Sequence, residues 1–473
     1  MSPQRYIFRR KRVWFTNPMH VFVLMTLIWG GLMVTQGFKR GDVKPLFDPT
    51  PTPTRIPQSF ALEAETHFLA GDLDAAIASY QEAISASPEN GRLYAEMARI
   101  LTYSTETQIT VPAKQARFNQ AMEASEKAIT LAPDDSTAFA VRAFVLDWNY
   151  GFTRFILQDE EASDRMLTEA EQMINKALLL DETNVMALVY YAEVMIDRQR
   201  WDLAQGAITR ALERDPNLWE AHRVNGLFLE NMAEYLPSIE EFKTASELAP
   251  NMLFLQIKLG QAYRTMGLKT GSETYYETAI DYFNDVALKN ESLGIQDPLP
   301  YLGIGRAYGQ LGQFFAASRN MNKALQYDPA NPDVYAQLGM VYRQARNYED
   351  AISALGCAVQ GCNEEKTCEL RDCNRETDLP IKIEAMELDG YTIVYYYTYA
   401  SLLAGMHLKN HPERSQYCGQ ALDLISEIRQ SSFGSDQTIM EILAPSENIC
   451  ISARGGPTFT PVPTPTSTPE PAE

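Results

Sequence analysis

No cysteine precedes Cys357, no acidic side chain precedes Asp42, and five histidines serve all 473 residues. Each shortage removes a class of chemistry. His407 and His411 stand four apart, but Leu408 occupies the place where an H-E-x-x-H zinc hydrolase carries its glutamate base. Pro412 then ends the helix expected there, and the two read as a surface pair. Asp147, Asn149 and Gly151 begin like a calcium loop, yet the twelfth position is Gln158, which cannot supply the bidentate carboxylate. The chain has no G-x-S-x-G elbow and no Walker phosphate loop. No catalytic residue, metal ligand or cofactor is expected, and the chain does not read as an enzyme.

What is present begins with charge. The formal net charge is −20, unevenly spread. Arg5, Arg9, Arg10, Lys11, Arg12, Lys39 and Arg40 give the first forty residues seven cations and no anion, so the remainder carries −27. Such an acidic body repels nucleic acid and anionic headgroups, and no nucleic-acid partner is expected. With 45% hydrophobic and 22% charged residues the composition is that of folded protein, and the length calls for several domains or a repeat array.

An uncharged apolar run, VFVLMTLIWGGLMVTQGF, covers residues 21–38. As a helix it would span about 27 Å, close to the hydrocarbon thickness of a bilayer. Five cations precede it and only Lys39 and Arg40 follow directly, a bias that leaves the amino terminus in the cytoplasm and the body outside. No small-residue cleavage site and no nearby cysteine accompany it, so an uncleaved signal anchor is expected in place of a cleaved or lipoprotein signal. A basic cytoplasmic segment (1–20), a transmembrane anchor (21–38) and a Pro/Thr-rich linker (39–56) therefore precede the body. The body runs over 57–452, and a Thr/Pro-rich tail (453–473) is expected to be disordered, with O-glycosylation open.

The body repeats itself. Tyr301-x-x-Ile304-Gly305-x-x-Tyr308 recurs 34 residues later as Tyr335-x-x-Leu338-Gly339-x-x-Tyr342. Ala317, Ala324 and Pro329 follow the first copy, and Ala351 and Ala358 the second. Leu259, Gly260 and Tyr263 open another; Ala204, Ala211 and Pro216, then Phe242, Ala245 and Pro250, close two more. This resembles the tetratricopeptide repeat, with its W-x2-L-G-x2-Y…A-x3-F…P pattern every 34 residues. The resemblance implies an all-α superhelical solenoid of about nine helix pairs, starting near residues 57, 91, 136, 185, 219, 253, 298, 332 and 393. A cap helix over 436–443 and a cysteine-bearing insertion over about 361–390 complete it. GIGRAYG, at 303–309, falls within a first helix with no strand before it, so its glycines read as packing residues and not as a dinucleotide loop.

All six cysteines (Cys357, Cys362, Cys368, Cys373, Cys418, Cys450) crowd the carboxyl-terminal part. Their spacings do not fit C-x2-C metal knuckles, and an even count in a translocated domain favours three disulfides, with fifteen pairings open. The resemblance also implies a concave groove lined by the first helix of each pair. Glu65, Arg99, Phe144, Glu193, Leu227, Gln261, Arg306, Met340 and Ser401 are carried onto its positions. Phe144, Val189, Leu227, Phe254 and Ile257 are expected to form an apolar middle. Arg264, Arg306 and Arg343, from successive units, are expected to form a basic strip for an acidic or phosphorylated peptide. A lysine-asparagine carboxylate clamp is not found.

Three readings follow. The first is a membrane-anchored scaffold that binds proteins or peptides on the extracytoplasmic side, in a bacterial envelope. The second is a cytoplasmic regulator or enzyme accessory with a cysteine metal site, and the third a structural cell-surface protein. The first predicts that a chain beginning at Pro57 stays soluble, is helical by circular dichroism and melts cooperatively. An insoluble or unfolded product would show that the boundary is wrong.

Overall fold

The computed structural model describes residues 17–40, 56–371, 373–374 and 378–453. The linker over 41–55 and the tail over 454–473 lie outside the described residues. The chain divides into two units, Met1–Ile56 and Pro57–Glu473. In the first, α1 (Pro18–Arg40) is one continuous helix over the apolar run. Among the described residues no helix is long and apolar enough to cross a membrane. The described side chains of α1 run unbroken only from Pro18 to Met33, so part of the segment expected at 21–38 lies outside them.

The second unit is all-α. Its first five pairs are α2 (Pro57–Leu69) with α3 (Leu73–Ala86), α4 (Gly91–Tyr103) with α5 (Val111–Leu131), α6 (Ser136–Phe155) with α7 (Glu160–Leu180), α8 (Val185–Asp197) with α9 (Trp201–Arg214), and α10 (Trp219–Asn231) with α11 (Tyr235–Leu248). Then come α12 (Leu253–Thr270) with α13 (Glu273–Leu293), α14 (Leu299–Gln310) with α15 (Phe314–Tyr327), and α16 (Pro332–Gln344) with α17 (Tyr348–Gln360). A short α18 (Glu364–Arg371) lies in the cysteine-bearing insertion, α19 (Ile393–Met406) pairs with α20 (Tyr417–Gln430), and α21 (Gln437–Ala453) closes the series. The expected solenoid of nine pairs is the observed fold.

The sequence punctuates these helices locally. Pro88, Pro133 and Pro329 end second helices, and two residues on Asn90, Asp135 and Asn331 cap the next first helix by accepting from backbone N–H groups at 3.2, 2.8 and 3.1 Å. Where Glu182 replaces the proline, Asn184 still caps α8. The DWNYGFTRF stretch lengthens α6 to Phe155 as continuous helix, so Asp147 and Asn149 lie on a helix and not in a cation loop. His407 is already outside α19, whose last residue is Met406. The histidines therefore do not share a helical face. Each serves the backbone: the N–H of Cys418 donates to His407 Nδ1 at 3.4 Å, and those of Glu413 and Arg414 donate to His411 Nδ1 at 3.3 Å.

Within a pair, one small residue sets how closely the helices meet. A Cβ added at Gly226 would fall 2.7 Å from the Phe242 ring; one at Gly260, 2.7 Å from Phe283; one at Gly305, 2.8 Å from Met321; and one at Gly339, 2.7 Å from Leu355. The same register thus seats a large residue of the second helix against the bare backbone of the first. Three disulfides, Cys357–Cys362, Cys368–Cys373 and Cys418–Cys450, use all six cysteines. The last ties α21 to α20.

Gly260→Ala should destabilise the protein by about 1–3 kcal/mol, because the methyl enters space that Phe283 fills. Gly206→Ala on the exposed side of α9, where an added Cβ meets nothing within 4 Å, should stabilise by up to about 1 kcal/mol through helix propensity. Thermal melting of the two variants reads both signs.

Candidate functional site

The concave face is made by the first helices of the pairs, and it has two different parts. Phe283 of α13 explains one of them. Its ring lies between Gly260 of α12 and Gly303 of α14, where an added Cβ at either glycine would fall 2.7 Å from a ring carbon. This contact brings α12 and α14 together over an aromatic floor. Above it is a hollow of about 220 Å³, lined among others by Lys258, Gln261, Arg264, Leu302 and Arg306. Lys258 is neutralised by Glu230 at 2.7 Å. Arg306 is exposed; its Nε donates to Gln337 Oε1 at 2.6 Å, and a terminal nitrogen stands 3.7 Å from Asp333. The Gln337 side-chain amide and the Tyr395 hydroxyl, the latter at 3.1 Å, both donate to Asp333. Arg264 is half-buried and has no hydrogen bond or ion pair among the described residues. Burial, and then the charge of Arg306, push the Arg264 guanidinium below its usual range.

The other part is filled. Tyr103, at the end of α4 and fully buried, meets Phe68 of α2, Phe144 and Trp148 of α6, Trp219 of α10 and Phe254 of α12, with ring centroids 5.1 to 6.1 Å apart. Phe144 also stacks on Tyr190 of α8 at 4.4 Å. One tyrosine therefore touches first helices from units one, three, five and six. Charges ring the aromatics. Arg99 reaches Glu220 at 3.3 Å, Arg223 pairs with Glu193 through two bonds of 2.7 Å, and Trp148 Nε1 donates to Glu193 at 3.0 Å. At the edge, the Asn251 amide donates to the Leu69 carbonyl at 2.9 Å, joining the turn after α2 to the one before α12. The array curves tightly enough for its first unit to meet its fifth and sixth.

Sequence comparison agrees with this architecture. Family models described as tetratricopeptide repeat match residues 57–90, 255–285, 300–331 and 320–353. Residues 57–90, 255–285 and 300–353 carry the sequence pattern of tetratricopeptide repeats. Human tetratricopeptide repeat protein 6 is 23% identical over 172 residues, covering 36% of this chain and 31% of that relative. Among solved structures, a tetratricopeptide repeat protein from Thermus thermophilus is 17% identical with a TM-score of 0.35, covering 44% of this chain and 98% of its own. The Cut9–Hcn1 hetero-tetramer of the APC/C is 16% identical with a TM-score of 0.47, covering 67% of this chain and 54% of its own.

The repeats place each expected groove residue, and not all are accessible. Phe144, Val189 and Ile257 are buried, while Leu227 and Phe254 are half-buried against the hydrophobic core. They form no open apolar groove, because the curvature turns these faces onto one another. Glu65, Arg99 and Glu193 are drawn into the charged ring. At the far end Ser401 is hydrogen-bonded to Ser446 of α21 at 3.1 Å, so the cap helix reaches the last unit's inner position. Gln261 and Arg306 are open, and Arg264 joins them in the hollow. Arg343 is exposed but lies outside that lining, and Met340 is half-buried. Of the three arginines expected to form a strip, Arg264 and Arg306 line this hollow and Arg343 does not.

Tyr103, Trp148, Trp219, Glu220 and Asn251 were not expected at the concave face. Their partners lie too far along the chain for a 34-residue period to indicate. Glu220 makes the filled half pH-dependent. Burial outweighs Arg99 and raises its carboxyl from 4.5 to about 7. The folded state thus holds this proton more tightly, and the associated stability is present below pH 4.5 and lost as pH rises through 7. Glu220→Gln should remove about 2–4 kcal/mol of that decline. Urea unfolding of variant and parent across about pH 4.5–7.5 measures the difference.

Proposed function

We propose that this protein is a membrane-tethered scaffold that holds protein partners on the extracytoplasmic side. Tetratricopeptide repeats are stacked helix pairs whose concave face is built from side chains of many units, which suits recognition of an extended partner. The observation that carries the topology is the state of the cysteines. All six are paired, at positions confined to the last third of the chain, and disulfides persist where the environment is oxidising. The basic cluster Arg9–Arg12 before the apolar run of 21–38 supports the same orientation, with the amino terminus inside.

The cytoplasmic alternative requires cysteine thiolates for a metal, and the pairing engages every one of them. Partner binding then falls to the accessible part of the concave face, units six to eight. The anchor keeps the scaffold at the membrane, and the linker sets its reach.

Intact cells offer the test. After mild reduction, an impermeant maleimide should label the half-buried Cys362 and Cys373 from outside, while cells left oxidised should show no labelling. Labelling only after lysis would place the body inside and overturn the reading. In the purified protein, reduction should raise hydrogen exchange in α17, α20 and α21 and leave α2 to α12 unchanged. The Cys418–Cys450 loop contributes about 4 kcal/mol by chain entropy, and the two short loops about 2 kcal/mol each. Uniform loosening would contradict nearest-neighbour coupling in the solenoid.

A further inference from the structure

We propose that the hollow between α12 and α14 binds an oxyanion presented by a partner peptide, a carboxylate or a phosphate, between the guanidinium groups of Arg264 and Arg306. The inference rests on the scaffold reading and names the chemistry of its ligand.

The first ground is an unbalanced charge. A half-buried guanidinium ordinarily has a carboxylate beside it, since desolvating a cation without a partner is costly. Arg264 has none among the described residues, in a body that carries a large excess of acidic side chains. Its near charged neighbour is a second cation, Arg306, which shares the lining of the hollow. Two guanidinium groups left facing one cavity are the arrangement an oxyanion completes, because each offers paired N–H donors to two oxygens.

The second ground is that the pair is held in place. Phe283, wedged between Gly260 and Gly303, fixes the two helices that carry the arginines. Gln337 accepts from the Arg306 Nε–H, and Asp333 anchors Gln337 through its amide while Tyr395 holds Asp333. Asp333 stands 3.7 Å from Arg306, so it orients that guanidinium without the short contact of a closed ion pair. The carboxylate that does line the hollow, Glu230, is occupied by Lys258. Leu299 and Leu302 border the same space, which suits an acidic residue followed by an apolar one.

The hollow, at about 220 Å³, has room for a carboxylate or phosphate group. Gln261 and Arg306 on its rim are exposed, so a chain can enter and leave it. Arg343 lies outside the lining and serves as an internal control.

The test uses the full chain in detergent micelles and three fluorescent peptides. They are a Glu-Leu repeat decamer, the same decamer with glutamine for glutamate, and one with a single phosphoserine in a glutamine-leucine background. The Glu or phosphoserine peptide should bind at least tenfold more tightly than the glutamine peptide, and whichever does identifies the oxyanion. Arg264→Gln should weaken that binding about tenfold and the Arg264→Gln, Arg306→Gln pair about a hundredfold, while Arg343→Gln changes it less than twofold. Arg264→Gln should also melt at or above the parental temperature, since it removes an unpaired charge. A structural role for Arg264 would lower it. Inorganic phosphate at millimolar concentration should raise the melting temperature of the parent and not of the double variant. Equal affinity for acidic and glutamine peptides, or full binding by the double variant, overturns the proposal. If membrane partners co-purify equally with parent and double variant, the scaffold stands and this site falls. If acidic peptides bind but the body labels as cytoplasmic, the site stands and the topology falls.

Discussion

Two helices of a pair can share a core only if their backbones come close, and here glycine in one register makes the room. At Gly226, Gly260, Gly305 and Gly339 the first helix has no side chain, and Phe242, Phe283, Met321 and Leu355 occupy the space from the second. Each such contact fixes the tilt within its unit, and a repeated tilt becomes a curvature. Everything on the concave face follows from that curvature: which side chains meet, which remain open, and where two arginines converge.

The curvature divides one surface into two. Over the first six units it brings non-adjacent first helices together until Tyr103 lies among five other aromatic rings. Offset and edge contacts of this kind contribute about 0.5–1.5 kcal/mol each beyond the area buried. The ion pairs around them have a different energetic character. Arg223 and Glu193 are both nearly buried, so their mutual attraction mainly offsets the cost of removing them from water. Their effect is to fix geometry: Glu193 also receives Trp148, tying α6, α8 and α10 at one carboxylate. An acidic residue expected to face a ligand is instead a strut.

The period of the sequence made the fold legible, and it did so because a repeat is a local object. Proline two residues before an Asn or Asp cap, glycine opposite an aromatic and alanine at the crossing all lie within one unit. Nine helix pairs therefore begin where the spacing placed them, within one residue. The filled half was not legible for the complementary reason. Arg99 and Glu220 are 121 residues apart, and Leu69 and Asn251 are 182 apart. Such contacts depend on small angles summed over four or five units, and no single motif encodes the sum. Phe144 and Val189 are buried where an open groove was expected, because the pattern did not show that this side of their helices faces another helix. The histidine pair escaped the pattern for a local reason, since α19 stops at Met406, before either residue.

The arginine pair shows what distinguishes a structural charge from one left over. Arg99, Arg142 and Arg223 each reach a carboxylate within 3.3 Å, and two of them satisfy further donors on neighbouring groups. These residues are buried or nearly so, and the fold has provided partners for them. Arg264 is half-buried in the second half of α12, and Lys258 on the same helix is already committed to Glu230. A partner carboxylate at this point would have cost the solenoid nothing in space, because the hollow is there. The absence of an internal partner among the described residues, in a protein with so many acids to supply one, separates Arg264 from the three struts: each of them has a carboxylate partner within the chain, and at the proposed site Arg264 takes its partner from outside.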